Sequence, residues 1–340
     1  MVLLTAGLFD AEPLYVPGVG LVLLAAASEL IVIAGARGAS ASRELAAGRV
    51  LEGDPLHVRW FARTGLGPLA GATLEDPAAG EYARTRIPAG RRTLEWERTL
   101  NFPRRGPVTL APPRLVVRDP LGFARRIVSG TEEDRVLVLP RPQPVRSPLH
   151  RGAAEAGQNL GALAGAATEP DGLRPLRPGT PASRIFWPAL ARGGDLIERR
   201  VVPEADALPL IVLDSSAPDS DEALDAAVRA ATSLAVELGR AGGCAVLLPG
   251  DRRATALRGL ATWPTLHARL AMVVPGPPPR VGEAVVRPPA VLWVRARIEG
   301  RPPPRATVLV QPGPLGARRP SFSVAGCQGF VVSSAVRVAA

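Results

Sequence analysis

The sequence contains no lysine. Its cationic side chains, 41 of them, are all arginine, and against 31 carboxylates they leave a net charge of +10. That absence removes whole classes of chemistry. A Walker A loop sets a Lys against the nucleotide phosphates, and Schiff-base enzymes use a Lys amine as nucleophile, so neither can operate here. Cysteine is nearly absent too. Cys244 and Cys327 are far apart, belong to no C-x-x-C pattern and sit in apolar, strand-like surroundings, so buried reduced thiols are expected rather than a disulfide or a metal pair. Aromatic side chains are few, with two tyrosines and seven phenylalanines. The arginines are spread along the whole chain, in the company of much Ala, Gly, Pro and Val, which reads as coding bias and a generally basic surface. A nucleic-acid face would need clustered cations with stacking side chains among them, and it is not expected.

What is present begins with an apolar run. Val16 to Ala36 is about long enough to cross a bilayer and carries one charge, Glu29. Its Leu, Ile and Val slightly outweigh that carboxylate, so insertion is marginally favoured and a helical partner would help. Met1 to Phe9 is also apolar but too short to span, and reads as the last turns of a truncated first span. Residues 1–40 are therefore expected to be a membrane anchor with one full span at 16–36. Arg37, Arg43 and Arg49 follow it, which by the positive-inside rule places the bulk of the chain in the cytoplasm. A signal peptide is the competing reading, but a basic leading region is lacking and the apolar run is too long. A buried core helix stays open as an alternative.

From 43 to 141 the period changes to two. Leu56 to Phe61 and Arg92 to Arg98 alternate apolar and polar, as half-buried antiparallel strands do. Turn chemistry recurs at Glu52-Gly53-Asp54-Pro55, Asp76-Pro77, Pro88-Ala89-Gly90 and Asp119-Pro120-Leu121-Gly122. A β-sandwich is predicted. His57 is on an alternating strand and reads as an ordinary surface or core imidazole. Glu95 and Glu97 share a strand face flanked by Arg92 and Arg98, which favours a solvated charge ladder over an acid/base pair. Residues 142–170, rich in Pro and then Gly and Ala, read as a mobile linker or a long loop. His150 lies there with no other ligand type near it.

The segment 171–340 reads as an α/β domain organised around Asp171 to Ser216. Its first half crowds Arg174, Arg177, Arg184, Arg192, Arg199 and Arg200 around Trp187. Two readings stay open. The guanidinium forks can dock an acidic partner, or they can form an internal network with Asp195, Glu198 or Glu204 over the indole. Its second half, Leu208 to Leu213, is an unbroken apolar run, as in a strand buried on both faces, and ends in Asp214-Ser215-Ser216. Open α/β sheets place sites at such carboxyl ends. Beyond it, Leu224, Ala227, Val228, Ala231, Leu234, Ala235 and Leu238 recur at helical spacing, with Asp219 or Ser220 as the cap and Gly239 to Gly243 as the stop. Cys244–Leu248, Ala290–Ala296, Ala306–Val310 and Phe322–Val332 read as strands, and Thr262–Leu270 as a helix. The alternation predicts a mostly parallel sheet with helices on both faces.

Gly172, Arg174, Pro178, Gly179, Arg184, Ile185, Trp187, Ala191, Arg192 and Glu198, followed by the strand to Asp214, resemble the bacterial family known as domain of unknown function 58. Its pattern runs close to G-x-R-x-Y-x-P-G-D, R-x-I-x-W, A-R and an acidic residue before a von Willebrand factor A-like strand. Leu176 and Thr180 depart from it, standing where the family has an aromatic and an Asp. Glu52 to Pro55, Arg105-Gly106, Asp119 to Phe123 and Val138 to Arg141 also look like landmarks of the family. The resemblance implies a membrane hairpin, a von Willebrand factor A-like domain over 171–340, here shortened at its carboxyl end, and a MoxR-type AAA ATPase as partner.

Magnesium-binding domains of that class use D-x-S-x-S at the first strand end, because a hard cation needs several oxygens around one point. Here Asp214 and Ser216 keep the first two positions, while Pro218 has no side-chain oxygen for the last. They form a degenerate metal site, with Asp251 the only further candidate ligand. Ser215 and Ser216 lack a nucleophile elbow, and His267 is the only histidine downstream. The expectation is a membrane-anchored, non-enzymatic scaffold or assembly factor without cofactor or bound metal. Its partner contacts would run through Arg174, Arg177, Arg184, Trp187, Arg192 and Glu198. A Mg²⁺-dependent adhesion module or enzyme centred on Asp214 is the alternative.

Overall fold

Alternating burial along the first half of the chain is what the computed structural model converts into sheets. It describes residues 13, 15–65, 71–79, 84–88, 90–146, 208–281, 288 and 290–332, and the backbone pairing of 173–175 with 197–199. The chain divides into two compact units. One comprises Met1–Pro103 and Pro107–Val138, the other Arg104–Gly106 and Leu139–Ala340.

The first unit opens with helix α1 (Tyr15–Ala36), long and apolar enough to cross a membrane. Apolar side chains face outward along it, among them Val16, Leu23 and Leu30, and only Gly18, Ser28, Val32 and Gly35 are buried. Three small sheets follow. The first joins β1 (Ser40–Leu45), β3 (Pro55–Arg63) and β6 (Thr93–Asn101), and the second joins β2 (Arg49–Leu51), β10 (Asp134–Leu139) and β7 (Gly106–Leu110). The third runs β5 (Arg84–Ile87), β4 (Gly71–Glu75), β8 (Arg114–Arg118) and β9 (Arg125–Ser129). The two stretches with the clearest alternation, β3 and β6, pair antiparallel with Trp60 opposite Trp96. Leu56, Val58 and Trp60 on one sheet and Leu74, Leu115 and Val117 on another share an apolar core, as in a sandwich. Glu97 and Glu95 are exposed, and Arg59 lies across the strand pair from them at 2.8 and 3.8 Å.

Arg43 holds an inward position on β1, 8% exposed, in line with buried Ala41. A guanidinium among apolar side chains needs full compensation. It comes from Asp76 (2.7 Å), Asp134 (2.7 Å) and the Leu110 carbonyl (3.0 Å), while the Trp60 indole also donates to Asp76 at 2.6 Å. Arg43 is thus a core residue and not a free charge beside the membrane. Of the arginines read by the positive-inside rule, Arg37 and Arg49 are exposed.

The second unit is a seven-stranded mixed sheet in the order β15 (Thr255–Leu257), β14 (Cys244–Leu247), β13 (Leu210–Asp214), β16 (Val291–Arg295), β17 (Val308–Gln311), β19 (Cys327–Val331), β18 (Phe322–Val324). The central strands β14, β13, β16 and β17 are parallel, and the outer ones antiparallel. Every residue of β13 is buried, as its unbroken apolar run predicts. Helix α2 (Asp221–Ala241) starts where Ser220 accepts a hydrogen bond from the Ala223 amide, and stops at Gly242 with φ 143°. All seven residues read at helical spacing are buried along it.

Helices on both faces were expected. Among the described residues α2 and α3 (Trp263–Ala271) contribute to one apolar cluster on the same side of the sheet. The opposite face, with Leu210, Val212, Trp293 and Leu309, is covered by Leu208, Val281 and Ala306, and Val281 is itself a helical residue. The broken last strand is a hairpin, β18–β19, turned at Ala325 and Gly326, both with positive φ. Residues 142–146, the start of the stretch read as a linker, are held in this unit. Gln143 donates to Ser233 Oγ, and Arg146 exchanges backbone hydrogen bonds with Ser323 at 2.7 and 2.8 Å. Arg105 NH1 reaches the Leu270, Ala271 and Val273 carbonyls and so closes the carboxyl end of α3.

Candidate functional site

Strand order places the candidate site. From β13 the chain crosses one way to β14 and the other way to β16, so the crevice between the carboxyl ends of β13 and β16 is a topological switch point. Asp214 and Arg295 are opposite each other there.

Asp214 is 2% exposed and its carboxylate is occupied. Oδ1 accepts from the Ser216 amide at 3.0 Å and from Ser216 Oγ at 2.5 Å. Oδ2 accepts from Trp293 Nε1 at 3.2 Å and faces the Arg297 guanidinium at 3.8 Å. Asp219 ties the next loop down, its carboxylate accepting from the Ile298 amide at 2.8 Å. Capping of α2 therefore falls to Ser220, while Asp214 and Asp219 hold loops.

Arg295 is the unexpected member, a cation 1% exposed at the end of an apolar strand. Neutral oxygens surround it. Gln311 Oε1 accepts from Nε at 3.0 Å and from NH2 at 2.6 Å, and the carbonyls of Ile298 and Gly300 accept at 2.9 and 3.1 Å. Gln311 is held for this by its own amide, which donates to the Gly313 and Pro314 carbonyls. Burial pushes the Arg295 pKa down and neighbouring Arg297 pushes the same way; Asp214 and Asp219 oppose them. Gly300, at φ 109°, brings its carbonyl to the guanidinium where a side chain would be strained.

Two carboxylates and two guanidiniums thus balance in charge at these strand ends, Asp214 and Arg295 buried, Asp219 exposed and Arg297 partly exposed. The donor set does not suit a hard divalent cation: Ser216 is spent on Asp214, Pro218 offers no oxygen, and a guanidinium stands against the other carboxylate oxygen. Asp251 is taken by Arg269 NH2, at 2.5 and 2.7 Å. Among the described residues no group of three His, Cys, Asp or Glu side chains converges. Ser215 and His267 do not form a nucleophile–base pair among the described residues. Ser215 Oγ is buried without a hydrogen-bond partner, and His267 Nε2 is engaged with the Pro140 carbonyl at 2.7 Å while its ring stacks on Trp263. The cluster can fix two strand ends and two loops, and that is its evident chemistry.

Of the arginine-loop residues, Arg174 and Glu198 are register partners along the backbone of a two-stranded pairing of β11 (Leu173–Pro175) and β12 (Ile197–Arg199). Arg177, Arg184, Trp187 and Arg192 lie outside the described residues, as does His150. His57 is exposed on β3, in a shallow groove of about 380 Å³ beside Glu44, Arg59 and Arg98. Sequence reading passed over Arg295, Arg297, Trp293 and Gln311. The one available signal was an arginine closing an apolar strand, which has to find partners. No protein-family model matches the chain, and no curated protein matches it either.

Proposed function

We propose that the chain is a membrane-anchored, non-enzymatic scaffold of the domain of unknown function 58 kind, with a von Willebrand factor A-like carboxyl-terminal domain whose loops engage another protein. The observation that carries the reading is Asp214: the carboxylate that would hold a cation or serve a reaction is consumed by Ser216, Trp293 and Arg297. The mixed sheet with its switch point and the outward-facing apolar helix α1 support the same architecture. The soluble units face the cytoplasm in this reading, supported by exposed Arg37 and Arg49 just after the helix.

The partner follows from the motif resemblance: a MoxR-type AAA ATPase, docked through Arg174, Arg177, Arg184, Trp187, Arg192 and Glu198. Guanidinium forks pair bidentately with carboxylates, so an acidic surface on the ATPase is the complement. The test is co-purification of the full chain with such an ATPase from detergent extract. Arg184→Ala with Arg192→Ala is expected to lose it, and unchanged recovery overturns the docking assignment. The competing reading, a Mg²⁺-dependent adhesion module or enzyme centred on Asp214, would require Arg297 to leave and Pro218 to be bypassed.

A further inference from the structure

The β8–β9 hairpin carries two large apolar side chains at its tip, Leu121 (60% exposed) and Phe123 (62% exposed). They sit where the chain also places its apolar helix. The inner residues of β8, Leu115 and Val117, belong to the sandwich core, whereas Val116 points outward and is still buried, on the face where α1 lies against β8 and β9. At the tip the Asp119 carboxylate lies close to Ser28, in the middle of α1. At the other end of β9, Gly130 lies beside the Ala41 carbonyl, past the carboxyl end of α1. The hairpin therefore runs along the helix and ends level with Ser28.

That level has a consequence for a spanning helix. From Ser28 to Ala36 the helix rises about 12 Å, at ~1.5 Å per residue. The remainder, Tyr15 to Ala27, rises about 20 Å, well short of the ~30 Å of a bilayer's hydrocarbon core. If α1 crosses, the hairpin tip is carried into the membrane surface with it. We propose that Leu121 and Phe123 are inserted into the same bilayer that α1 enters, with the Arg118 and Arg125 side chains extended toward its lipid headgroups. The proposal rests on α1 being a membrane span.

The turn is built for such a place. A loop entering a medium poor in water must satisfy its own amides. Asp119 does this: Oδ1 accepts from Ala124 N at 2.6 Å, Oδ2 from Leu121 N at 3.0 Å, and its carbonyl from Gly122 N at 3.2 Å. Asp119 as a whole is only 5% exposed. One residue back from the turn, Arg118 and Arg125 are cross-strand neighbours and exposed, a position from which guanidiniums reach lipid phosphates. Exposed Ile127 continues the apolar strip on the same face as Val116. Leu and Phe flanked by arginines is the composition that settles at an anionic membrane surface.

The experiment uses the full chain in vesicles of phosphatidylcholine and phosphatidylglycerol, with an environment-sensitive fluorophore on single introduced cysteines. Cys244 and Cys327 are buried, with thiols pushed up to about 12, and stay unlabelled. Phe123→Cys and, as a second reporter of the tip, Leu121→Cys are expected to be quenched by nitroxide-bearing lipid and protected from aqueous iodide. Leu23→Cys reports α1 itself, and Thr99→Cys, exposed on β6, reports water. If the tip labels behave like Thr99→Cys while Leu23→Cys sits in lipid, the insertion is refuted and the anchor stands. If the Leu23→Cys label is in water as well, the anchor reading fails and takes the proposal with it. Tip labels shielded from both quenchers would mean that a protein covers the hairpin, and would also overturn it.

Discussion

Arg297 reaches to 3.8 Å from the Asp214 carboxylate across the carboxyl ends of the neighbouring parallel strands β13 and β16. A like charge at that position opposes any cation brought to Asp214, and the Coulomb term grows as burial removes water. Calorimetric titration of the full chain with Mg²⁺ or Mn²⁺ is therefore expected to show no heat that depends on Asp214. Heat that vanishes in Asp214→Ala would restore the metal reading and remove the basis of the scaffold proposal.

The Arg43–Asp76 pair makes a different kind of prediction. Both side chains are fully buried, whereas Asp134, the other carboxylate on Arg43, keeps 27% of its side-chain surface. Arg43→Ala leaves the Asp76 charge buried without its cation, a change that costs about 3–5 kcal/mol in comparable pairs. Asp134→Ala should cost clearly less, since its solvated carboxylate contributes less and Asp76 still compensates the arginine. Chemical denaturation followed by tryptophan fluorescence reads both, because Trp60 donates to the same Asp76 oxygen. Equal losses would show that burial does not set the energetics here.

His267 should make stability fall on mild acidification. Burial lowers its pKa below 6.5, and the hydrogen bond to the Pro140 carbonyl only partly opposes this. A depressed histidine pKa means that the unfolded chain binds the proton first. The contribution is therefore complete above about pH 6.5, the unfolded value, and is lost as pH falls toward the lower folded value. His267→Gln retains a donor for the carbonyl and should flatten the melting-temperature profile between neutral and mildly acidic pH. A profile unchanged by that substitution would assign the acid sensitivity elsewhere.

Neither cysteine should react in the folded chain. Burial pushes both thiols up to about 12, and reactivity belongs to the thiolate. Mass spectrometry after iodoacetamide at mildly alkaline pH should find Cys244 and Cys327 unmodified in native protein and both modified in denaturant. Alkylation of either in the native protein would require an opening of the sheet around β14 or β19.

Periodic elements were legible in the sequence because their cause is local. Leu224 to Leu238 at helical spacing can bury only one face as a helix, and α2 forms there between its Ser220 cap and Gly242. Leu210 to Leu213, apolar without alternation, needs cover on both faces, and β13 has it. The apolar helix after residue 15 and the paired strands β3 and β6 follow by the same kind of argument. Charge gave no comparable guide. Arg43 reads like Arg37 and Arg49 in sequence, and only the sandwich shows that it faces inward, because its partners Asp76 and Asp134 stand 33 and 91 residues away. Arg295 likewise finds Gln311 only after β16 and β17 pair. Local periodicity is written in neighbouring residues, so the chain alone determines its helices and buried strands. The partner of a buried charge is set by which distant segments the fold brings within a few ångströms, and that the tertiary structure alone decides.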